Sequence, residues 1–309
     1  MTALVKRLSG IIPPVATPMT EEHEVDVASL QRLIAFLLDA GVHGIFLLGS
    51  TSETVLLTDR QRATVLEVGI AAVAGRVPVL AGVSDTATEP TIEHARVAQR
   101  LGADALVLTA PYYVKPSQAE IVAHFRAVRA AADLPLLAYD IPVFVATKIE
   151  RRTVLAMAGD GLIDGLKDSS GDEGNFRLLA AETRTRPDFA LFTGSELLVD
   201  AALLVGARGC VPGLGNVDPA GFVRVYDAMR AGDLETARRE QERLCRLFAI
   251  VSIGLGDGLA LTAAAFGAFK TALMLRGVIA TNVVGRPLTR YDPDQTRRVG
   301  EILAAVGLR

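Results

Sequence analysis

The stretch Gly161-Leu-Ile-Asp-Gly-Leu-Lys-Asp-Ser-Ser-Gly171 reads as a short buried strand that runs straight into a polar turn. Lys167 stands at the junction. An ammonium taken out of water is costly, and the cost favours the neutral amine. A neutral amine is a nucleophile that condenses with a carbonyl compound to give a Schiff base. The alternative is a lysine at a strand end whose long stem lets the charge reach back to solvent. What surrounds Lys167 decides between the two.

The same short apolar run recurs along the chain, each time followed by a polar or glycine-rich turn and a longer amphipathic stretch. The runs are Ile11–Ala16, Gly44–Leu48, Val77–Ala81, Ala105–Leu108, Leu134–Tyr139, Leu162–Leu166, Phe189–Phe192 and Gly209–Val211. Between them lie helical patterns over Val27–Ala40, Asp59–Ala74, Thr91–Leu101, Gln118–Ala131, Glu150–Ala158, Phe176–Thr183 and Leu197–Val205. Gly41, Gly75, Gly102 and Gly206 follow four of these patterns, as helix C-caps do. Short buried strands alternating with helices predict parallel βαβ units. The number of units predicts a closed (β/α)8 TIM barrel rather than an open doubly wound sheet. After Pro219 the pattern is helical throughout, over Phe222–Arg230, Leu234–Ile250, Ala260–Leu275 and Asp294–Val306. This divides the chain into a barrel domain, 1–231, and a C-terminal helical domain, 232–309.

Composition narrows the function. The chain has 309 residues, a net charge of −3 and 50% hydrophobic residues, enough for a full core and without a basic stripe that would suit nucleic acid. Lys6 and Arg7 precede no apolar segment of the signal-peptide kind, and no apolar stretch has the length of a membrane span, so neither secretion nor a membrane is expected. Cys210 and Cys245 are the only cysteines. They make no disulfide framework or zinc site, and a reducing, cytoplasmic setting follows. His23, His43, His94 and His124 are dispersed without metal-ligand spacing, so no metal is expected. Gly213-Leu-Gly-Asn216 comes late and lacks a third glycine, so it reads as a loop closing the barrel after strand eight rather than as a dinucleotide site.

In such a barrel the active site lies where the strands end. The predicted strand ends are Gly49-Ser-Thr-Ser-Glu53, Thr109-Ala-Pro-Tyr-Tyr113, Tyr139-Asp-Ile-Pro142, Lys167-Asp-Ser-Ser170, Thr193-Gly-Ser-Glu196 and Val211-Pro-Gly213. Hydroxyls, tyrosines and one lysine therefore share a rim. Tyr139 and Lys167 are one βα unit apart, which sets them at one height on adjacent strands. Imine formation must lose water, and a phenol beside the amine can carry that proton. Gly49-Ser50-Thr51 offers turn amides and two hydroxyls suited to a small carboxylate. Turn capping is the plainer role for Ser50 and Thr51.

Taken in order, Gly10-Ile-Ile-Pro-Pro-Val-Ala-Thr-Pro18, Gly49-Ser-Thr-Ser-Glu53, Pro111-Tyr-Tyr-Val-Lys-Pro116, Tyr139-Asp-Ile-Pro142 and Gly165-Leu-Lys-Asp-Ser-Ser-Gly171 resemble the dihydrodipicolinate synthase / N-acetylneuraminate lyase family of pyruvate-type class I aldolases. The resemblance implies Lys167 as the Schiff-base lysine and Tyr139 as the proton-transfer phenol. It implies Ser50 and Thr51, with Gly49, as the carboxylate site, and Tyr113 as a relay residue that crosses a tight dimer into the neighbour's site. Val211 would line the pocket through its backbone. The implied assembly is a homo-oligomer, a dimer at least and a tetramer built as a dimer of dimers. The covalent lysine imine would make any separate cofactor unnecessary.

Two departures bear on the substrate. Ser52 stands where the family usually has glycine, at a turn expected to need a positive φ. Phe144 stands where true dihydrodipicolinate synthases carry an arginine that grips the carboxylate of aspartate semialdehyde, and a phenyl ring supplies no such donor. The expected function is therefore a Schiff-base lyase acting on pyruvate or a 2-keto acid. Its aldehyde partner would lack a carboxylate facing Phe144; a 2-keto-3-deoxy sugar acid as the keto-acid substrate, or an aromatic or aliphatic aldehyde as the partner, would fit. Dehydration of a keto-deoxy sugar acid is open to the same imine chemistry. The rivals are a genuine 4-hydroxy-tetrahydrodipicolinate synthase that holds its semialdehyde differently and a non-catalytic metabolite-sensing barrel.

Overall fold

Eight short parallel strands carry the fold: β1 (Gly10–Ile11), β2 (Ile45–Leu47), β3 (Val79–Gly82), β4 (Ala105–Thr109), β5 (Leu136–Asp140), β6 (Gly165–Asp168), β7 (Ala190–Thr193) and β8 (Gly209–Cys210). The computed structural model describes residues 8–308, so the reading of Lys6 and Arg7 lies outside the described residues. The strands pair in the order β1-β8-β7-β6-β5-β4-β3-β2. The ring closes between the chain just after β1 and β2, through a parallel bridge of Pro14 with Phe46. Val15 N donates to Phe46 O at 2.8 Å and Phe46 N to Pro13 O at 3.1 Å. The apolar run predicted a longer first strand. Pro13 and Pro14 have no N–H to give, which cuts the ladder to two residues without opening the barrel.

Helices follow the strands on the outside: α1 (Val27–Asp39), α2 (Asp59–Val73), α3 (Thr88–Leu101), α4 (Gln118–Ala131), α5 (Arg151–Gly159), α6 (Glu173–Thr183), α7 (Val199–Val205) and α8 (Pro219–Ala231). Their starts are written locally. Asp26 caps α1 by accepting from Ser29 N, and Thr58 with Gln61 and Ser117 with Glu120 form capping boxes at α2 and α4. Gly102 and Gly206 end α3 and α7 in the left-handed conformation. Strand residues are buried on both faces, as a helix-covered parallel sheet requires.

Gly232 terminates α8, and Asp233 caps the next helix at once. The remaining helices are α9 (Leu234–Gly256), α10 (Leu261–Leu275) and α11 (Pro293–Ala305). They share one apolar cluster with the β1–β8 side of the barrel, in which Leu244, Leu247 and Phe269 pack with Ile11, Cys210 and Phe222. Tyr291 pins this layer: its hydroxyl donates to carbonyls of Ile250 and Ala264 and accepts from Gly254 N. Among the described residues no helix is long and apolar enough to cross a membrane.

Candidate active site

Register brings the two key side chains together. Tyr139 on β5 is the direct partner of Lys167 on β6, and Asp140 of Asp168. Alternation along a strand sends Tyr139 and Lys167 to one face and the two aspartates to the other. Lys167 therefore lies within β6, which runs on to Asp168 beyond the end the apolar run suggested, and it is only 5% exposed. A solvent-reaching role is excluded by that burial. Its Nζ sits 4.0 Å from the centroid of the Tyr139 ring and 5.3 Å from that of Phe46. Asp140 keeps its own task on the far face, accepting from Lys148 Nζ and Ile149 N at 3.0 Å each. Burial raises its pKa.

The loop after β2 adds the hydroxyls. Ser50 Oγ and Tyr139 Oη are 3.4 Å apart, looser than a settled O–H···O bond but within reach once a ligand draws them together. Ser50–Ser52 form one 3₁₀ turn. The left-handed residue of the motif is Glu53, at φ 59°, and not Ser52. That corrects the expectation for Ser52. Its side chain is buried and ties the loop to the chain that follows β1: Ser52 Oγ donates to Val15 O at 2.5 Å and accepts from Gly49 N at 3.1 Å. The Gly49 amide is thereby engaged within the protein, which removes it from the set of N–H groups expected to hold a carboxylate.

Glu53 tolerates its conformation because its carboxylate is doubly held. It pairs with Lys270 of α10, wholly buried, and accepts from Gly285 N. Lys270 also donates to Val283 O at 2.8 Å. The helical layer thus grips the loop that carries Ser50 and Thr51.

A second side of Lys167 is formed by β7 and β8. Thr51 Oγ1 and Glu196 Oε1 both approach Gly213 so closely that a Cβ there would come within 3.2 and 2.9 Å of them. Glu196 Oε1 accepts from the N–H of Gly213 and of Leu214, while Oε2 is sealed from water without a partner. Burial pushes its pKa up to about 7, against the pull of those two amides and of Lys167. Burial, and then the Glu196 carboxyl, push the Cys210 thiol up. Sequence reasoning noted the strand-seven end but did not single out Glu196. Its only local signal is an acidic residue on a rim otherwise lined with hydroxyls. Val211 is buried beside it, with its N–H given to Thr193 O. Asn216 then locks the strand-eight loop, accepting from Ala16 N and donating to Pro14 O and Gly213 O, which is the barrel-closing role read for Gly213–Asn216.

A cavity of about 340 Å³ opens from this rim. Tyr139, Ser50, Gly49 and Phe46 line its inner end, and Phe144 lies on its wall, 40% exposed. The Lys167 amine is not on that wall but against the Phe46 and Tyr139 rings, which are. Tyr113 stands apart from its own chain's site, 96% exposed and at φ 72°.

A buried lysine on the sixth strand of a (β/α)8 barrel, faced by a strand-five tyrosine and strand-two hydroxyls, defines a barrel lyase of the lysine type. Comparison with known proteins gives the family. Residues 7–306 match the model of the dihydrodipicolinate synthetase family, and the chain belongs to that family of carbon–carbon lyases. It is 33% identical over 301 residues to an uncharacterized DapA-like lyase of Halobacterium salinarum, covering 97% of this chain and 95% of that one. It is 31% identical to the 4-hydroxy-tetrahydrodipicolinate synthase of Methanosphaerula palustris, covering 96% and 98%. Among solved structures, YagE of E. coli K12 in complex with pyruvate, a prophage protein of the dihydrodipicolinic acid synthase family, superposes with a TM-score of 0.91 at 28% identity, covering 98% and 99%. The fold expected from the strand count is borne out by these likenesses.

Proposed function

We propose that the chain is a Schiff-base lyase acting on pyruvate or a related 2-keto acid, with Lys167 as the nucleophile. The observation that carries this reading is the direct pairing of Tyr139 with Lys167, with the amine 4.0 Å from the tyrosine ring and the phenol 3.4 Å from Ser50 Oγ. The Lys167 amine adds to the keto carbon, and loss of water leaves an iminium. Removal of a C3 proton gives an enamine, the iminium nitrogen taking the electron pair. C3 then attacks the carbon of an aldehyde, a carbon–carbon bond forms, and the aldehyde oxygen takes up a proton. Hydrolysis releases a 4-hydroxy-2-keto acid and restores the amine. Cleavage runs the same steps backwards. Tyr139 and Ser50 are the proton carriers in this scheme, and Ser50 and Thr51 hold the keto-acid carboxylate. The imine itself is the electron sink, so the scheme uses no metal or separate cofactor.

The finer assignments belong to the same proposal. An almost fully exposed tyrosine held at a positive φ makes sense if a second copy of the chain covers it. Tyr113 would then complete the relay of the neighbour's site, in a homodimer or a dimer of dimers. Unpaired Cys210 and Cys245 suit the reducing cytoplasm. The test is borohydride reduction with pyruvate, followed by peptide mass mapping. The expected result is a pyruvyl-sized addition on Lys167, absent in Lys167→Ala. No adduct at millimolar pyruvate would overturn the reading.

A second reading has an observation in its favour. Several relatives at 31–39% identity are named 4-hydroxy-tetrahydrodipicolinate synthase. Rapid condensation of pyruvate with aspartate semialdehyde would establish it and would show that the semialdehyde is held without an arginine at position 144.

A further inference from the structure

The cavity that opens from Tyr139 and Ser50 says what the second reactant carries. The inference rests on the Schiff-base reading, since it takes the bond-forming carbon to lie beside the Tyr139 hydroxyl. A substituent on that carbon then extends along the cavity wall.

β4 and the loop after it give Val107 and Tyr112 to that wall, and three further parts of the chain supply more of its apolar groups. The turn after β5 gives Ile141, Phe144 and Val145, the loop after β2 gives Leu56, and the C-terminal layer gives Phe266 and Leu288. Among the described residues no arginine or lysine lines it. Of the polar groups that do, Glu53, Thr109 and Ser84 are engaged within the protein, and Tyr112 and Thr262 add two further hydroxyls at its margin. Glu53 is held by Lys270 and Gly285 N. Thr109 Oγ1 donates to Ala110 O at 2.8 Å, and Ser84 Oγ accepts from Thr109 N at 3.0 Å. Thr54 Oγ1 is the one buried hydroxyl on this wall without a partner. A carboxylate entering here would give up its hydration with no cation on the wall to replace it, and a row of hydroxyls would bury most of its polar atoms against apolar side chains. An apolar group loses nothing of the kind and gains by leaving water. The volume is at the lower end of the range that holds small organic ligands.

We infer that the electrophile is an aldehyde bearing an aromatic or branched aliphatic group, and that Phe144 is a specificity-determining residue for it. Selection of a polyhydroxylated chain is the outcome that would contradict the inference.

The experiment uses the full chain, pyruvate and three aldehydes whose carbonyl is attached to saturated carbon: 3-phenylpropanal, glyceraldehyde and aspartate semialdehyde. The condensation products are quantified by mass, with borohydride trapping of Lys167 run in parallel. Expected are trapping, a kcat/KM for 3-phenylpropanal at least tenfold above either competitor, and a drop of at least tenfold in that preference over aspartate semialdehyde in Phe144→Arg. Because Phe144 is 40% exposed, the added charge can reach water and the variant is expected to fold. Trapping with a preference for glyceraldehyde or aspartate semialdehyde would overturn the inference and leave the Schiff-base reading standing. Trapping with an unchanged preference in Phe144→Arg would remove Phe144 from the role. Absence of trapping would overturn the Schiff-base reading and this inference with it.

Discussion

Replacing Glu196 by glutamine should make the protein more stable at pH 8 and leave it nearly unchanged at pH 4.5. Glu196 has a folded-state pKa pushed from an ordinary 4.5 up to about 7, first by burial. A carboxyl raised in this way contributes stability that is fully present below its unfolded value and is lost as pH rises through its folded value. The window is therefore about pH 4.5 to 7, and above it the loss stays constant. At ~1.36 kcal/mol per pH unit the full effect is about 3 kcal/mol. The side chain is only partly buried as a whole although its Oε2 is sealed, so water screening brings the expectation down to between about 1 and 3 kcal/mol. Glutamine keeps an oxygen for the Gly213 and Leu214 amides and cannot ionise. Denaturant unfolding of both proteins from pH 4.5 to 8.5 reads the difference directly, because titrations elsewhere cancel between them. A difference that does not change with pH, or one that favours the wild type increasingly towards pH 8, would refute the assignment of a neutral buried acid beside Lys167.

Three further outcomes follow from the same geometry. Tyr139→Phe removes the hydroxyl paired with Ser50 Oγ and should lower kcat by about 10²–10⁴-fold, as loss of a positioned proton carrier does, with borohydride trapping of Lys167 slowed as well; trapping and turnover at wild-type rates would clear the phenol of a role. Lys270→Met leaves the Glu53 carboxylate buried and alone and should cost about 3–5 kcal/mol in chemical denaturation, most of it recovered in the Glu53→Gln/Lys270→Met double variant, where no charge is left unpaired. Gly82→Ala sets a Cβ 2.0 Å from Leu48 O, a backbone atom with nowhere to go, and should abolish soluble folded protein as judged by circular dichroism and gel filtration; a well-folded Gly82→Ala would show that β2 and β3 can separate there.

Most of the fold was legible because each βα unit announces itself locally. A short apolar run, a glycine or polar turn and an amphipathic stretch need no knowledge of distant residues, and parallel register then follows from equal unit spacing. That is why the pairing of Tyr139 with Lys167 could be read before the strands were placed. The edges of that reading failed where backbone chemistry intervened. Pro13 and Pro14 shortened β1, and the left-handed residue of the strand-two turn proved to be Glu53 rather than Ser52. In the second case the side chain of Ser52 is spent on Val15 O and Gly49 N, contacts that local propensity does not encode.

What the sequence hid is carried by residues far apart in it. The Glu53–Lys270 pair joins the strand-two loop to α10, and Thr51, Gly213 and Glu196 meet only once the barrel closes. These two long-range contacts divide the surroundings of the Lys167 amine. On the Glu196 side an acid held near neutrality faces the Lys167 amine, with Thr51 beside it. On the Phe144 side the walls are largely apolar and carry no lysine or arginine among the described residues. The proposed reaction needs a small anion held at Lys167 and a second reactant of different character admitted beside it. Here the Tyr139 ring, with Nζ 4.0 Å from its centroid and its own edge on the cavity wall, is the partition between the two. Substitutions on the Glu196 side should therefore register first in imine formation with pyruvate alone, and substitutions on the Phe144 side in the choice of aldehyde.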